Sequence, residues 1–137
     1  MFKIEHIGIA VESLKESNPL FSRLLGCEPY KMEEVKSEHV MTSFFQMGES
    51  KVELLEATDP SSPIARYIEK RGPGMHHVAF AVEDIRAEMA RLKAEGFRLL
   101  NEQPKRGADN MLVCFVHPKS AGGVLVELCQ EIPEAER

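Results

Sequence analysis

Two histidines and two glutamates occupy matching places in the two halves of the sequence. His6 opens the run HIGIAVESLK, and His77 opens the similar run HVAFAVEDIR, 71 positions later. Glu53 and Glu127 lie 74 positions apart, in the similar runs KVELLE and LVELCQ. A carboxylate between Val and Leu is costly to bury unless it is paired or binds a cation. One such residue alone would be an ordinary strand residue, but four at corresponding places predict a site for one divalent metal ion.

The ligand types narrow the choice of metal. Two imidazoles and two carboxylates form a mixed nitrogen and oxygen set, which suits Zn²⁺, Co²⁺, Ni²⁺, Mn²⁺ or Fe(II) better than Ca²⁺ or Cu(I). A six-coordinate ion held by four side chains keeps two positions for water or substrate. Because an open position distinguishes a catalytic metal from a structural one, the pattern predicts an enzyme.

The two pairs of similar runs, called echoes below, follow in the same order in each half. They predict a duplicated βαβββ module. Each half opens with a short apolar strand at its histidine, continues into a helix and ends with three further strands. In the first half, Asn18 and Pro19 predict the start of the helix, Leu20, Phe21, Leu24 and Leu25 its apolar face, and Gly26 its end. In the second half, Asp84 predicts the N-cap and Gly96 the end. The remaining strands are expected near residues 28–36, 39–47, 50–57, 97–102, 111–117 and 123–130.

These elements predict an α+β fold in which the two modules form a curved, mostly antiparallel sheet, an incomplete barrel, around a metal-binding cleft. At 137 residues the chain has the length of one domain. We therefore expect a single domain, 1–137, with repeats 1–57 and 75–130 joined by a short helical linker, 58–74.

Composition excludes several classes of protein. The formal net charge of -5 argues against a nucleic-acid partner, and no apolar run is long enough to span a bilayer, so we expect no membrane association. The three cysteines are far apart and form no Cys-x-x-Cys pair. This pattern favours a reducing, cytoplasmic location over a disulfide framework.

A glycine-rich turn precedes Glu127 and is the candidate for binding substrate. In HPKSAGG, backbone N–H groups and an ammonium group could meet a phosphate, although a solvated loop is the simpler alternative. The candidate substrate-binding residues are His117, Lys119, Ser120, Gly122 and Gly123.

At these residues the chain resembles a known group of enzymes. The doubled unit, with His opening each first strand and Glu in each last strand, looks like the vicinal oxygen chelate superfamily, which includes glyoxalase I. Within it, the segments GMHHVAF, DPSSPIA and above all HPKSAGGVLVEL are most similar to the methylmalonyl-CoA epimerase family. The resemblance covers about residues 4–130.

The resemblance implies an isomerase that interconverts the 2R and 2S forms of methylmalonyl-CoA by abstracting the α-proton, through an enolate that the metal stabilises. It implies an acyl-CoA thioester substrate, Co²⁺ as the ion, with Zn²⁺, Ni²⁺ or Mn²⁺ as alternatives, and a homodimer. Glu127 would be one acid/base. The family's second acid is expected on the strand before Glu53, but the run VMTSFFQ has no carboxylate there, so Glu53 is the other catalytic candidate.

Two other functions remain open at this point. One is a different enzyme of the superfamily, either a glyoxalase I-type lactoylglutathione lyase or an epimerase of another acyl-CoA. The other is a protein that sequesters a ligand without chemistry, which would not require all four metal-binding side chains.

Overall fold

The computed structural model describes residues 1–137. It contains eight strands and three α-helices, and the chain divides into two compact units. The first unit is His6–His76, and the second combines Met1–Glu5 with His77–Arg137. No helix has the length and apolar character needed to cross a membrane.

The first unit contains one βαβββ module, except for the first three residues of its opening strand, and this module is followed by a helix. Its strand order is β2-β3-β4-β1, in which β1 runs parallel to β4 and the other neighbours are antiparallel. The elements are β1 (Lys3–Ala10), α1 (Leu14–Leu25), β2 (Lys31–Val35), β3 (Val40–Met47), β4 (Ser50–Ala57) and α2 (Pro63–Arg71).

The second unit repeats this arrangement. Its strand order is β5-β8-β7-β6, again with the first and last strands of the module parallel and the other pairs antiparallel. The elements are β5 (Gly74–Ala81), α3 (Ile85–Ala94), β6 (Lys105–Arg106), β7 (Met111–Val116) and β8 (Val126–Glu131). The mixed α+β class, the two βαβββ modules and the mostly antiparallel pairing are thereby confirmed.

Each helix packs on one face of its own module. In the first unit, Leu14, Phe21 and Leu25 of α1 contact a cluster that includes Phe45 and Leu54. In the second unit, three buried residues of α3 pack with buried residues of β7 and β8; the α3 residues are Ile85, Met89 and Leu92. Because strand side chains alternate between faces, the neighbouring strand residues, including the glutamates, point to the opposite face.

The expected start of the first helix is wrong. α1 begins at Leu14, with Ser13 as its N-cap residue, and Pro19 lies inside the helix. Leu20 and Leu24 are exposed rather than part of the apolar face. The helix starts early because the side chain of Glu56 accepts a hydrogen bond from the Leu14 N–H at 2.6 Å, which satisfies one of the four N–H groups that a helix start leaves unbonded.

Two strand predictions, one in each unit, also need correction. Residues 97–102 form no regular strand, only an isolated antiparallel bridge between Leu99 and Val116. The strand that pairs with β7 is instead the two-residue β6. In the first unit, the expected strand 28–36 is shorter, because a 3₁₀ turn at Lys36–Glu38 follows β2.

Candidate metal centre

The first His–Glu pair lies within the first unit. His6 is on β1 and Glu53 on β4, and the His6 Nδ1 and Glu53 Oε2 atoms are 3.1 Å apart. Both residues are buried, with about a twentieth of their surface exposed. The parallel register sets Gly8, two residues after His6, opposite Glu53. A buried carboxylate of this kind requires a partner, and His6 supplies one.

The second His–Glu pair has the same construction in the second unit. The His77 Nε2 and Glu127 Oε1 atoms are 3.1 Å apart, and both residues are buried. Ala79, two residues after His77, lies opposite Glu127. The duplicated sequence has therefore produced a duplicated local geometry, in which each glutamate lies opposite the second residue after its histidine.

A phenylalanine accompanies each pair. Phe44 on β3 is opposite Glu53, and Phe115 on β7 is opposite Glu127. The Phe115 ring meets the His77 ring edge-on, with centroids 5.9 Å apart. Sequence patterns did not single out these aromatic residues; their common position next to each glutamate emerges only from the strand register.

Each pair fits one side of a divalent metal ion. Two ligand atoms about 2.1 Å from one ion and at right angles to each other lie roughly 3 Å apart, and both pairs have a nitrogen and an oxygen at 3.1 Å. Burial also favours a bound ion, because a cation offsets the cost of removing carboxylates from water. The donor types and their spacing are thus compatible with Zn²⁺, Co²⁺, Ni²⁺ or Mn²⁺.

The glycine-rich turn uses much of its own hydrogen-bonding capacity. His117 caps a 3₁₀ turn, Pro118–Ser120, and its Nδ1 accepts a hydrogen bond from the Lys119 N–H at 3.0 Å. The Ser120 N–H donates to the His117 carbonyl, and the Gly123 N–H donates to the Pro118 carbonyl. Gly122 and Gly123 both have positive φ, 64° and 89°, which glycine adopts without strain. The exposed Lys119 side chain and the Gly122 N–H therefore remain for a ligand.

Two cationic residues, one beside the first pair and one beside the glycine-rich turn, were missed by sequence reasoning. Lys51 is buried on the Glu53 face of β4, with its Nζ 6.0 Å from the centroid of the Phe44 ring. Arg98 lies next to the glycine-rich turn, because its N–H donates to the Ser120 hydroxyl at 2.9 Å. Lys51 could have been found from its place two residues before Glu53; nothing in the sequence marks Arg98.

The Cys114 thiol belongs to the apolar core rather than to the candidate metal site. Cys114 and Cys129 are buried, and burial raises the pKa of the Cys114 thiol. Cys114 packs in the same apolar cluster as α3. It therefore remains protonated near neutral pH and acts as a small apolar core residue.

Comparisons with known proteins give the family. A sequence profile described as the Glyoxalase/Bleomycin resistance protein/Dioxygenase superfamily matches residues 5–115. The chain is 36% identical over 129 residues to the mitochondrial methylmalonyl-CoA epimerase of Homo sapiens. This alignment covers 93% of this chain and 73% of that protein. It is 38% identical over 130 residues to the ethylmalonyl-CoA/methylmalonyl-CoA epimerase of Cereibacter sphaeroides, covering 93% of this chain and 97% of that protein.

A solved structure matches in the same way. The structure of a methylmalonyl-CoA epimerase in complex with methylmalonyl-CoA and NH4+ superposes with a TM-score of 0.92 at 31% identity, covering 96% of this chain and 95% of that one. The sequence comparison and the structure comparison thus both match epimerases over nearly the whole chain. On this evidence the chain belongs to the Glyoxalase/Bleomycin resistance protein/Dioxygenase superfamily, and its relatives include named methylmalonyl-CoA epimerases.

Proposed function

We propose that this chain is a metal-dependent epimerase that interconverts the 2R and 2S forms of methylmalonyl-CoA. The observation that carries the proposal is the pair of buried His–Glu arrangements in a chain whose relatives are named as epimerases of this substrate. A glyoxalase or a simple binding protein would need another explanation for the similarity to epimerases over nearly the whole chain.

His6, Glu53, His77 and Glu127 together would hold one divalent ion, with Co²⁺ the first choice and Zn²⁺, Ni²⁺ or Mn²⁺ as alternatives. A divalent ion bound there supplies Lewis-acid stabilisation of the negative charge that develops on the thioester oxygen. Support comes from the ligand-like spacing within each pair. The ion-holding role requires the two halves to act as one domain, which remains a prediction.

Glu127 would move the proton, and Glu53 would contribute more to binding the metal. Glu127 comes soon after the glycine-rich turn, with Val124 to Val126 between them. Glu53, by contrast, follows a short hairpin turn. A group held by the glycine-rich turn would therefore be near Glu127. Inversion of the α-carbon needs acid/base groups on two faces, so Glu53 is the candidate for the second face.

The glycine-rich turn would contact the substrate through Lys119, Ser120, Gly122 and Gly123, with His117 holding the turn in shape. Lys119 is exposed and its backbone is fixed by His117. Replacing Lys119 with Ala should raise the KM for the CoA thioester with little change in kcat, because it removes binding that is common to substrate and transition state.

The reaction can be tested by following loss of the α-proton by NMR with methylmalonyl-CoA in D₂O, with and without Co²⁺. Metal-dependent exchange together with net epimerisation supports the proposal. Ethylmalonyl-CoA belongs in the same series, because the Cereibacter sphaeroides relative is named for both substrates. Turnover of a glutathione hemithioacetal, with no exchange of methylmalonyl-CoA, would instead identify a glyoxalase.

The metal site can be tested by metal content after dialysis at neutral pH. His6→Ala and His77→Ala should each lose the ion, because each removes one of only four protein ligands. His39→Asn is a matched control: it removes an exposed imidazole at a positive φ of 53°, a conformation that Asn tolerates. Full metal content in His77→Ala would defeat the assignment.

Two further properties belong to the proposal. We expect a homodimer, which light scattering behind a sizing column would measure directly. We expect the cytoplasm as the location, on the basis of the three free thiols.

A further inference from the structure

We propose that Arg98 binds the nucleotide phosphates of the coenzyme A moiety, as a positioning residue outside the reacting centre. This inference rests on the proposed function, since it assigns part of that substrate to a particular side chain. All the residues that carry it belong to the second unit.

The strand register places Arg98 on the same face as Glu127. Leu99 bridges Val116, and Leu99 and Phe97 pack against the α3 cluster. Side chains alternate along an extended segment, so Arg98, which lies between them, points to the opposite face. That face carries His77, Phe115 and Glu127.

The backbone of Arg98 is held from both sides by the glycine-rich turn. Its N–H donates to the Ser120 hydroxyl at 2.9 Å, and its carbonyl accepts a hydrogen bond from the His117 N–H at 2.8 Å. An exposed side chain on a fixed backbone loses less freedom on binding than one on a mobile loop. The same turn presents Lys119, so two cationic side chains come from segments that are hydrogen-bonded to each other.

The Arg98 side chain is available for a ligand. All the hydrogen bonds of Arg98 involve its backbone. Three other arginines of this unit are engaged: Arg91 pairs with Glu88, Arg137 pairs with Glu131, and Arg106 donates to the Glu136 carbonyl. Arg86 lies on α3 rather than beside the glycine-rich turn. A guanidinium group matches the geometry of phosphate and binds it with two parallel hydrogen bonds.

The separation between Arg98 and Glu127 favours the nucleotide phosphates over the acyl carboxylate of the substrate as the ligand of Arg98. Arg98 lies two strand spacings across the sheet from Glu127 and two residues along it, so their Cα atoms are roughly 12 Å apart. The pantetheine arm between the thioester and the diphosphate spans roughly 15 Å, the length of four to five extended residues. A thioester near Glu127 would therefore bring its diphosphate within reach of Arg98.

The test is binding of free coenzyme A by calorimetry, together with kinetics on two substrates. Arg98→Ala should raise the Kd of coenzyme A about tenfold, the usual effect of losing one charged hydrogen bond, and the effect should shrink in high salt. The KM for methylmalonyl-pantetheine, which lacks the nucleotide phosphates, should not change. Arg91→Ala is the matched control, because Arg91 is exposed on α3 and already paired.

Three results would overturn the inference. One is an unchanged Kd for coenzyme A in Arg98→Ala, or no binding by the unmodified protein. Another is an equal rise in KM for the pantetheine thioester, which would assign Arg98 to the acyl carboxylate. The third is an equal effect of Arg91→Ala, which would indicate net charge alone. If coenzyme A binding depends on Arg98 but methylmalonyl-CoA is not epimerised, the proposed reaction fails while this inference stands.

Discussion

The two His–Glu pairs are nearly identical in construction and differ in their surroundings. In both units the nitrogen–oxygen distance is 3.1 Å and a phenylalanine lies opposite the glutamate. Around the first pair, the Phe44 ring has Lys31 at 5.1 Å and Lys51 at 6.0 Å from its centroid. Around the second pair, the Phe115 ring contacts His77 itself.

The segments next to the glutamate-bearing face of the sheet also differ between the two units. In the first unit, α2 packs on the Glu53 face through Ile64, Tyr67 and Ile68, which contact Ala10 and Leu55. The second unit is distinguished instead by the glycine-rich turn before Glu127. Duplication therefore preserved the His–Glu geometry, while the segments around it diverged. Under the proposed function, both halves would bind the metal and the second half would carry most of the proton transfer.

The largest expected effect tests this division of roles. Glu127→Gln keeps an oxygen ligand but removes the base, so activity should fall by roughly 10²–10⁴, the usual contribution of acid–base catalysis. Glu53→Gln should retain metal and appreciable turnover, because the main role proposed for Glu53 is to bind the ion. Both variants are compared at saturating metal, by proton exchange into D₂O and by net epimerisation.

The opposite result is informative. If Glu53→Gln is inactive and Glu127→Gln is active, the first unit carries the proton transfer. The divergence of the glycine-rich turn would then have no bearing on catalysis.

A second prediction tests whether the two halves are equally well packed. Leu54 and Leu128 occupy corresponding positions, and both are completely buried against the helix of their own unit. Leu54→Ala and Leu128→Ala should each lower the free energy of unfolding by about 2–5 kcal/mol. Urea denaturation measures the loss. Leu24→Ala is the control, because Leu24 is 71% exposed and surface changes usually cost less than about 0.5 kcal/mol.

Similar losses would mean that the two cores depend equally on this leucine. A small loss at one position would show that one half can relax around the cavity. The packing of the halves would then have diverged along with their surface features.

Duplication explains why much of the fold was predictable from one sequence. The echoes around His6 and His77 and around Glu53 and Glu127 identified the first and last strands of each module in sequence order, and the structure confirms both modules. The pairing of each histidine with its glutamate also follows, since parallel first and last strands bring them together. Local periodicity alone would not have linked residues so far apart.

The two wrong predictions, the start of the first helix and the strand at residues 97–102, have a common physical cause. The Asn18–Pro19 pair is a typical local signal for a helix start, but a side chain from β4 caps an earlier position. Likewise, residues 97–102 alternate like a strand, yet they form only one bridge with β7. In both places contacts between distant segments decided the structure, and no local pattern records them.

The helix starts also show what the duplication could have revealed. The Glu56 Oε1 accepts from the Leu14 N–H at 2.6 Å, and the Gln130 Oε1 accepts from the Ile85 N–H at 2.8 Å. Glu56 and Gln130 correspond in the second echo, and Leu14 and Ile85 correspond in the first. A start at Leu14 was therefore implied by the known helix signals of the second half.

The smallest expected effects test this shared cap. Glu56→Ala and Gln130→Ala should each destabilise the protein by about 1 kcal/mol, the typical cost of losing a helix N-terminal cap. The loss at Glu56 should be slightly larger, because its carboxylate also interacts favourably with the positive end of the helix dipole. Glu56→Gln should recover most of the stability, since it keeps the acceptor and removes only the charge. Thermal unfolding measures all three variants.

Ser13→Ala is the discriminating control. Ser13 is the N-cap residue of α1, but its side chain makes no capping hydrogen bond. By contrast, the Asp84 side chain accepts a hydrogen bond from the Ala87 N–H at the start of α3. If the strand-borne cap starts α1, Ser13→Ala should change stability by less than about 0.5 kcal/mol, while Asp84→Ala should cost about 1 kcal/mol. A loss in Ser13→Ala as large as in Glu56→Ala would contradict the assignment, because α1 would then depend on its local cap, as sequence rules assume.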